Sequence, residues 1–298
     1  IKKVTEADIH NGLVTLLGLG GSTNALIHLT AIAGRLGVKI DLKKFNQISE
    51  KVPVLVNLKP SGTNYMEDFY YGGAMKAFLK EVSPFLKKGT TTIEGKLLSK
   101  VIKENAKSFH DTEIIRTRKK PFEAKGGLVS LFGNICPNGA ILKRSAADKS
   151  LFETTGKAFV FDDIKEMARL VDSPKLKISK NDILVLKNIG PKTSYGMPEA
   201  GYLPIPKKLL KKGVKDMIRI SDGRMSGTAF GTIILHVSPE SAVKGPFAAV
   251  QTGDKIKLSV KNKSLNLLIS DTELEKRLKN IKSKEPKISR GYLKLYYD

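Results

Sequence analysis

Residues 216–237, DMIRISDGRMSGTAFGTIILHV, place a polar segment between two apolar runs. The β-branched content of 216–220 and 232–237 predicts two short buried strands joined by a loop. Glycines at 223, 227 and 231 let the loop backbone take unusual conformations, so that the hydroxyls of Ser226 and Thr228 could stand at the rim of a sheet. We interpret the loop as a candidate site; a Gly/Ser-rich turn that satisfies its own backbone is the alternative.

Short strands dominate the sequence around this loop. Helical patterns are fewer there, at 162–171 and 271–280, which favours a β-barrel or sandwich with peripheral helices. The basic stretch 116–121 ends in a proline and is typical of a linker, so we place a domain boundary there, giving domains 1–118 and 119–298. The other predicted strands are 128–132, 158–161, 182–187, 255–260 and 265–269.

Helix and strand patterns alternate in the first domain, which predicts the end of a parallel-sheet α/β domain. A glycine turn capped by Ser22 or Thr23 suits either an anion site or an ordinary capped helix. His28 lies within an apolar helical pattern, and we interpret it as a hydrogen-bonded core residue rather than a ligand. The helix beginning at Met66 is interrupted by glycines, and its first-turn acids suit the helix dipole better than a metal. The predicted elements are a helix at 25–33, a helix at 42–49, a strand at 52–58, a helix at 66–82 broken at Gly72 and Gly73, and a helix after a capping box at 91–94.

The composition bounds the function. Fifty-two Lys plus Arg stand against 29 Asp plus Glu, a net charge of +23. This balance indicates either nucleic-acid binding or attraction of an anionic substrate. The lysines are dispersed and lack interleaved aromatic residues, which favours solvated faces over a nucleic-acid site. No apolar run reaches a membrane span, the first residues do not resemble a signal peptide, and a lone cysteine suits a reducing compartment, so we expect a cytoplasmic protein without a membrane partner.

Six spaced motifs carry a family resemblance. They are 20–25 (GGSTNA), 58–62 (LKPSG), 66–73 (MEDFYYGG), 133–140 (GNICPNGA), 196–199 (GMPE) and 221–240, which ends in HVSPE. The sequence resembles the later half of the dihydroxy-acid dehydratase and phosphogluconate dehydratase family. The segments 201–206 and 226–229 are more similar to its sugar-acid branch, for arabinonate or xylonate, than to its branched-chain amino-acid branch, which we keep as the alternative.

The resemblance implies a hydro-lyase that converts a 2,3-dihydroxy carboxylate to a 2-oxo acid. It implies Ser226 as the base, Thr228 as its neighbour contacting the substrate or leaving group, and Glu199 as a magnesium ligand. It also implies an iron–sulfur (2Fe–2S) cluster, Mg²⁺, a swivelling β-barrel domain and a homo-oligomer. An unperturbed serine is a poor base, so an adjacent metal must stabilise its alkoxide.

The departure from the family concerns the cluster. Its cysteines lie in an earlier half that we do not find here, and Cys136, which we interpret as a small loop residue at 133–139, cannot replace a set of thiolates. We therefore expect the chain to be a fragment whose cluster ligands lie elsewhere and which is inactive alone. A non-catalytic basic protein that binds nucleic acid or a partner is the alternative of another class.

Overall fold

The computed structural model describes residues 4–193, 202–227, 229–281 and 288–297. The chain divides into two compact units, Ile1–Val129 with Arg144–Ala146, and Ser130–Lys143 with Ala147–Asp298. Residues 119–129 lie in the first unit, and the family-domain boundary placed after residue 118 stays a prediction. None of the helices in the described ranges combines the length and apolar character needed to cross a membrane.

The first unit is helical, and the second to fifth of its helices follow the sequence patterns closely. Ser22 accepts a hydrogen bond from the Asn24 amide at 3.1 Å, as the predicted cap requires. The break between the fourth and fifth helices is also confirmed: Gly73 has a φ of +113°, and a Cβ there would lie 2.3 Å from the Phe109 carbonyl oxygen. The helices are α1 Glu6–Gly18, α2 Thr23–Arg35, α3 Leu42–Ser49, α4 Met66–Tyr71, α5 Ala74–Val82 and α6 Leu98–Glu104.

A buried extended segment replaces the strand predicted at 52–58. Val54 and Val56 are at most 1% exposed, and they form isolated antiparallel bridges with Glu123 and Ile115. In the described part of this unit no continuous strand forms, so the parallel sheet of an α/β domain is not confirmed. The apolar run was read correctly as buried, because burial follows from composition, whereas pairing depends on what lies beside it.

Two local predictions were wrong and one helix was missed. His28 is exposed, because it lies on the outer face of α2 rather than in the core. Thr91 does not cap a helix: it bridges Leu97 in an antiparallel turn, and α6 begins only at Leu98. Helix α1 was not predicted at all. Asp68, by contrast, accepts the Tyr65 amide at 2.7 Å, which fits the helix-terminus interpretation of the first-turn acids.

A closed barrel of eight strands forms the second unit, as the strand-rich sequence predicted. The strand order is β1-β2-β6-β5-β4-β3-β7-β8. The pairs β3–β4, β4–β5, β5–β6 and β1–β8 are parallel, whereas β2–β6, β3–β7 and β7–β8 are antiparallel. The strands are β1 Val129–Gly133, β2 Cys136–Leu142, β3 Glu153–Phe161, β4 Ile183–Leu186, β5 Arg219–Ser221, β6 Ile233–Ser238, β7 Lys255–Ser259 and β8 Ser264–Leu267.

Strand β2 corrects the interpretation of Cys136 as a loop residue. Cys136 begins this strand and is fully buried, with Sγ 3.7 Å from the Leu131 carbonyl oxygen and 3.8 Å from that of Leu265. Asn and Gly inside 136–142 hid the strand, since both residues are depleted in strands. The remaining helices are α7 Ile164–Leu170, α8 Lys207–Leu210, α9 Asp271–Asn280 and α10 Tyr292–Tyr297.

Candidate active site

The candidate site lies at one end of the barrel. Because β4, β5 and β6 are mutually parallel, their carboxyl ends meet at the same end of the barrel. The Ser226 loop, residues 222–232, follows β5, and the segment 190–201 that contains Glu199 follows β4. Ligands of parallel sheets commonly bind beyond the carboxyl ends of the strands. The structure therefore places the starts of the two predicted site segments on neighbouring strands.

Ser226 sits directly after a buried anchor. Met225 is 0% exposed and packs in an apolar cluster that includes Leu186 and Leu203. Ser226 is half-buried, and its carbonyl oxygen accepts the Ala229 amide at 2.9 Å, which closes a turn. Anchoring the preceding residue limits how far the serine can move. Thr228 and Glu199, the other predicted site residues, lie outside the described residues.

Asp222 joins the ends of three strands. Its carboxylate accepts the amides of Asn188 and Ile189, each at 3.2 Å, after β4, and the amide of Ser241 at 2.9 Å, after β6. The residue is 1% exposed. Burial raises the pKa of Asp222, and the amide donors oppose that rise. Asp222 therefore fixes the start of the Ser226 loop against both neighbouring connections.

Glu240 holds the start of the segment after β4, as Asp222 holds the start of the Ser226 loop. Both of its carboxylate oxygens accept the Lys192 amide, at 3.0 and 3.2 Å. A Cβ on Gly190 would lie 2.4 Å from Oε2 of Glu240, so the backbone and carboxylate are in close contact. Burial raises the pKa of Glu240, and the nearby negative charge of Asp222 adds to the rise. The described start of the segment carrying Glu199 is thus held by the HVSPE glutamate.

His236 borders the Ser226 loop from β6. Its two ring nitrogens are shielded from solvent and have no hydrogen-bond partner among the described residues. Burial lowers the pKa of His236 to about 4, with a smaller contribution from the positive charge of Arg224. The imidazole is therefore neutral near pH 7.

Sequence reasoning missed the roles of Asp222, Glu240 and Arg219. Arg219 is 0% exposed within β5, and its guanidinium contacts the far end of the Ser226 loop. A signal was present: a charged residue between Ile218 and Ile220 breaks an apolar run, and a buried charge needs partners. Most of the partners were not predictable, because they come from segments distant in sequence.

The metal-binding expectations stay predictions, because Glu199, the predicted Mg²⁺ ligand, lies outside the described residues. Within the described ranges, no group of three or more His, Cys, Asp or Glu side chains is placed to hold a metal ion. Cys136 does not fit a cluster ligand: burial raises the pKa of its thiol to about 12, whereas iron–sulfur ligation needs a thiolate. A cluster is therefore not held by Cys136.

Comparison with known proteins identifies the family. Residues 113–298 match the dihydroxy-acid/6-phosphogluconate dehydratase C-terminal family, and residues 2–101 match the corresponding N-terminal family. The chain belongs to the dihydroxy-acid/6-phosphogluconate dehydratase family. Its resemblance to that family, inferred from six motifs, is confirmed.

Individual relatives fall into both branches of this family. An L-arabinonate dehydratase of Rhizobium leguminosarum bv. trifolii is 44% identical over 92% of this chain and 48% of the relative. A 6-deoxy-6-sulfo-D-gluconate dehydratase of Pseudomonas putida is 41% identical over 98% of this chain and 51% of the relative. A dihydroxy-acid dehydratase of Dehalococcoides mccartyi is 39% identical over 98% of this chain and 52% of the relative. The chain spans about half the length of the curated relatives it matches.

Proposed function

We propose that this chain supplies the serine-bearing barrel of a hydro-lyase that dehydrates a 2,3-dihydroxy carboxylate to a 2-oxo acid. The observation that carries the proposal is the emergence of the Ser226 loop and the Glu199 segment from adjacent parallel strands, at one end of the barrel. Family membership and the dehydratase names of the relatives support the reaction class.

In the proposed reaction, the Ser226 alkoxide takes the proton from C2 of the substrate while the C3 hydroxyl leaves with its bonding electrons, and that proton joins the leaving hydroxide to give water. The resulting enol then tautomerises to the 2-oxo acid. Thr228 contacts the substrate or the leaving hydroxyl. Glu199 supplies an oxygen ligand of the kind that Mg²⁺ prefers. When bound, Mg²⁺ holds the substrate carboxylate and stabilises negative charge on an adjacent oxygen. We derive no step through an iron–sulfur cluster, because Cys136 does not fit as its ligand.

A sugar acid is the substrate class we favour, with a branched-chain dihydroxy acid as the alternative. The L-arabinonate and 6-deoxy-6-sulfo-D-gluconate dehydratases are 44% and 41% identical to this chain, against 39% for the dihydroxy-acid dehydratase. The net charge of +23 suits an anionic substrate. The finer family features belong to the same proposal: a swivelling barrel, a parallel-sheet partner domain, a homo-oligomer, a cytoplasmic location and an iron–sulfur cluster held by ligands outside this chain.

The experiment is a substrate comparison on the complete enzyme that contains this chain. Anaerobically prepared protein is supplied with Mg²⁺ and with L-arabinonate, D-xylonate or 2,3-dihydroxy-3-methylbutanoate, and the 2-oxo acid is trapped and quantified. We expect 2-oxo acid from at least one sugar acid, at a higher kcat/KM than from the branched acid. A preference for the branched acid would support the alternative substrate, and no product from any of the three would contradict the proposed reaction.

A further inference from the structure

Arg219 has an unusually complete set of hydrogen bonds. An arginine side chain carries five N–H donors in a fixed planar arrangement. Arg219 is 0% exposed, and each donor has an acceptor. Nε donates to the Met217 carbonyl at 3.3 Å, Nη1 to the Tyr202 hydroxyl at 2.6 Å and the Leu203 carbonyl at 3.1 Å, and Nη2 to the Asp216 carboxylate at 3.1 Å and the Phe230 carbonyl at 2.7 Å.

Three of these acceptors lie within or directly after the two site segments. Tyr202 and Leu203 directly follow the segment 190–201 that contains Glu199, whereas Phe230 lies four residues after Ser226 in the serine loop. A single rigid guanidinium therefore joins the residues directly after the Glu199 segment to the end of the Ser226 loop. A lysine could not reproduce this bridge, since an ammonium has three donors and no planar fork.

The end of the Ser226 loop both packs closely against Arg219 and forms hydrogen bonds at this point. Asp216 pairs with Nη2 of Arg219 and also accepts the Thr232 amide at 2.7 Å and the Thr232 hydroxyl at 2.7 Å. Gly231 between them has a φ of +106°, and a Cβ there would lie 2.1 Å from Nη2 of Arg219. The loop end thus fits against the guanidinium only because residue 231 has no side chain.

We infer that Arg219 is a positioning residue that couples Tyr202 and Leu203, the residues directly after the Glu199 segment, to the Ser226 loop, so that disturbing the contact at Tyr202 displaces the loop. The catalytic part of this inference rests on the proposed function, whereas the mechanical coupling does not. Arg219 touches no reacting atom in this account and acts through the geometry of Ser226.

Tyr202→Phe is the variant that tests the coupling. Tyr202 is 41% exposed, so removing its hydroxyl deletes one bond to Nη1 and leaves the core intact. In the complete enzyme we expect kcat to fall about tenfold, as for loss of one charge-assisted hydrogen bond that orients a catalytic loop, with KM changed less than twofold. The Mg²⁺ concentration for half-maximal rate should rise. Tyr71→Phe, an exposed tyrosine on α4, is the matched control and should leave all three unchanged.

A double-mutant cycle with Arg219→Lys tests whether Tyr202 affects the Ser226 loop through Arg219 or independently of it. If Tyr202 acts through Arg219, the tenfold effect of Tyr202→Phe should largely vanish when Arg219→Lys is already present. Equal effects in both backgrounds, or an unchanged kcat in the single variant with only a lower Tm, would overturn the inference.

Amide hydrogen exchange on the chain provides a readout that needs no activity and no Arg219 variant. We expect Tyr202→Phe to accelerate exchange in the peptide covering 225–232, where the Ala229 and Thr232 amides are hydrogen-bonded. Faster exchange confined to residues near 202 would contradict the coupling, even if the enzyme is an active dehydratase. Faster exchange at 225–232 in a protein without dehydratase activity would uphold the coupling and reject the proposed function.

Discussion

The backbone amide of His236 donates to the carbonyl oxygen of Gly223 at 3.1 Å, which ties strand β6 to the start of the Ser226 loop. This hydrogen bond lies at a β-bulge. Ile141 pairs with Leu235 and Gly139 pairs with Ser238, so β6 contains one more residue than β2 over the same stretch. His236 has a φ of +57°, a left-handed conformation typical of such bulges. Bulges often redirect side chains beside functional sites.

Substitutions at His236 should therefore reverse the usual order of glycine and alanine. At an ordinary strand position glycine is less stable than alanine, but a left-handed residue with a Cβ is strained. We expect His236→Gly to be more stable than His236→Ala by about 0.5–1 kcal/mol in urea unfolding. The pair Lys257→Gly and Lys257→Ala, at an exposed position of β7, should show the normal order. The same order at both positions would contradict the assigned backbone strain.

Asp222→Asn tests the junction of the three strands. An amide side chain cannot accept at both of its polar atoms, so at least one of the amides of Asn188, Ile189 and Ser241 loses its acceptor. We expect a loss of about 2–3 kcal/mol in the free energy of unfolding, measured by denaturant titration. Glu275→Gln, an exposed acid-to-amide change on α9, should alter it by less than about 0.5 kcal/mol. An equal effect of the two changes would show that Asp222 does not hold this junction.

The candidate loop was predictable from sequence, whereas its supports were not. The apolar runs around residues 221–232 predicted two strands, and β5 and β6 flank the loop as parallel neighbours. A buried strand can be recognised from its own run of apolar residues, without knowledge of the strands that pair with it. Apart from Met217 and Asp216, which are close to Arg219 in the chain, the partners of Asp222 and Arg219 lie 11 to 34 residues away in sequence, and no local pattern specifies them.

Wrong local predictions share a physical origin. Thr91 and Glu94 match a capping box, but the backbone of Thr91 bridges Leu97 instead. His28 lies in an apolar helical pattern, but the helix turns it outward. In each case the local pattern was compatible with two structures, and tertiary contacts selected the other one.

Lys143 should make stability depend on pH in the alkaline range. It is 9% exposed, and burial lowers its pKa to about 8 from an ordinary value of 10.5. Between these values the unfolded chain binds more protons than the folded chain, so the free energy of unfolding should rise with pH from about 8 to 10.5. The rise amounts to about 3 kcal/mol for the full shift. In Lys143→Met this contribution should disappear, and identical pH profiles for the two proteins would reject the buried, partly neutral lysine.

The chain has one cysteine, which makes thiol reactivity a clean measurement. Cys136 is fully buried with a pKa raised to about 12, and only the thiolate reacts rapidly with disulfide reagents. We expect less than about a tenth of the thiol to react with Ellman's reagent in native protein at pH 8 within minutes, and one thiol per chain after denaturation. Rapid, complete reaction of the native protein would contradict the placement of Cys136 in β2.

The role of Ser226 is tested most directly by exchange of the C2 proton with solvent. In the complete enzyme, Ser226→Ala should abolish deuterium incorporation at C2 of a bound sugar acid, while the affinity for that acid changes less than about threefold. Ser264→Ala in β8 is the matched control and should exchange at the rate of the unmodified protein. If Ser226 only closes its own turn, the variant should lose about 0.5–1.5 kcal/mol of stability and keep most of its exchange rate. Exchange abolished with binding retained is the result that this account predicts; substantial residual exchange in Ser226→Ala would contradict it.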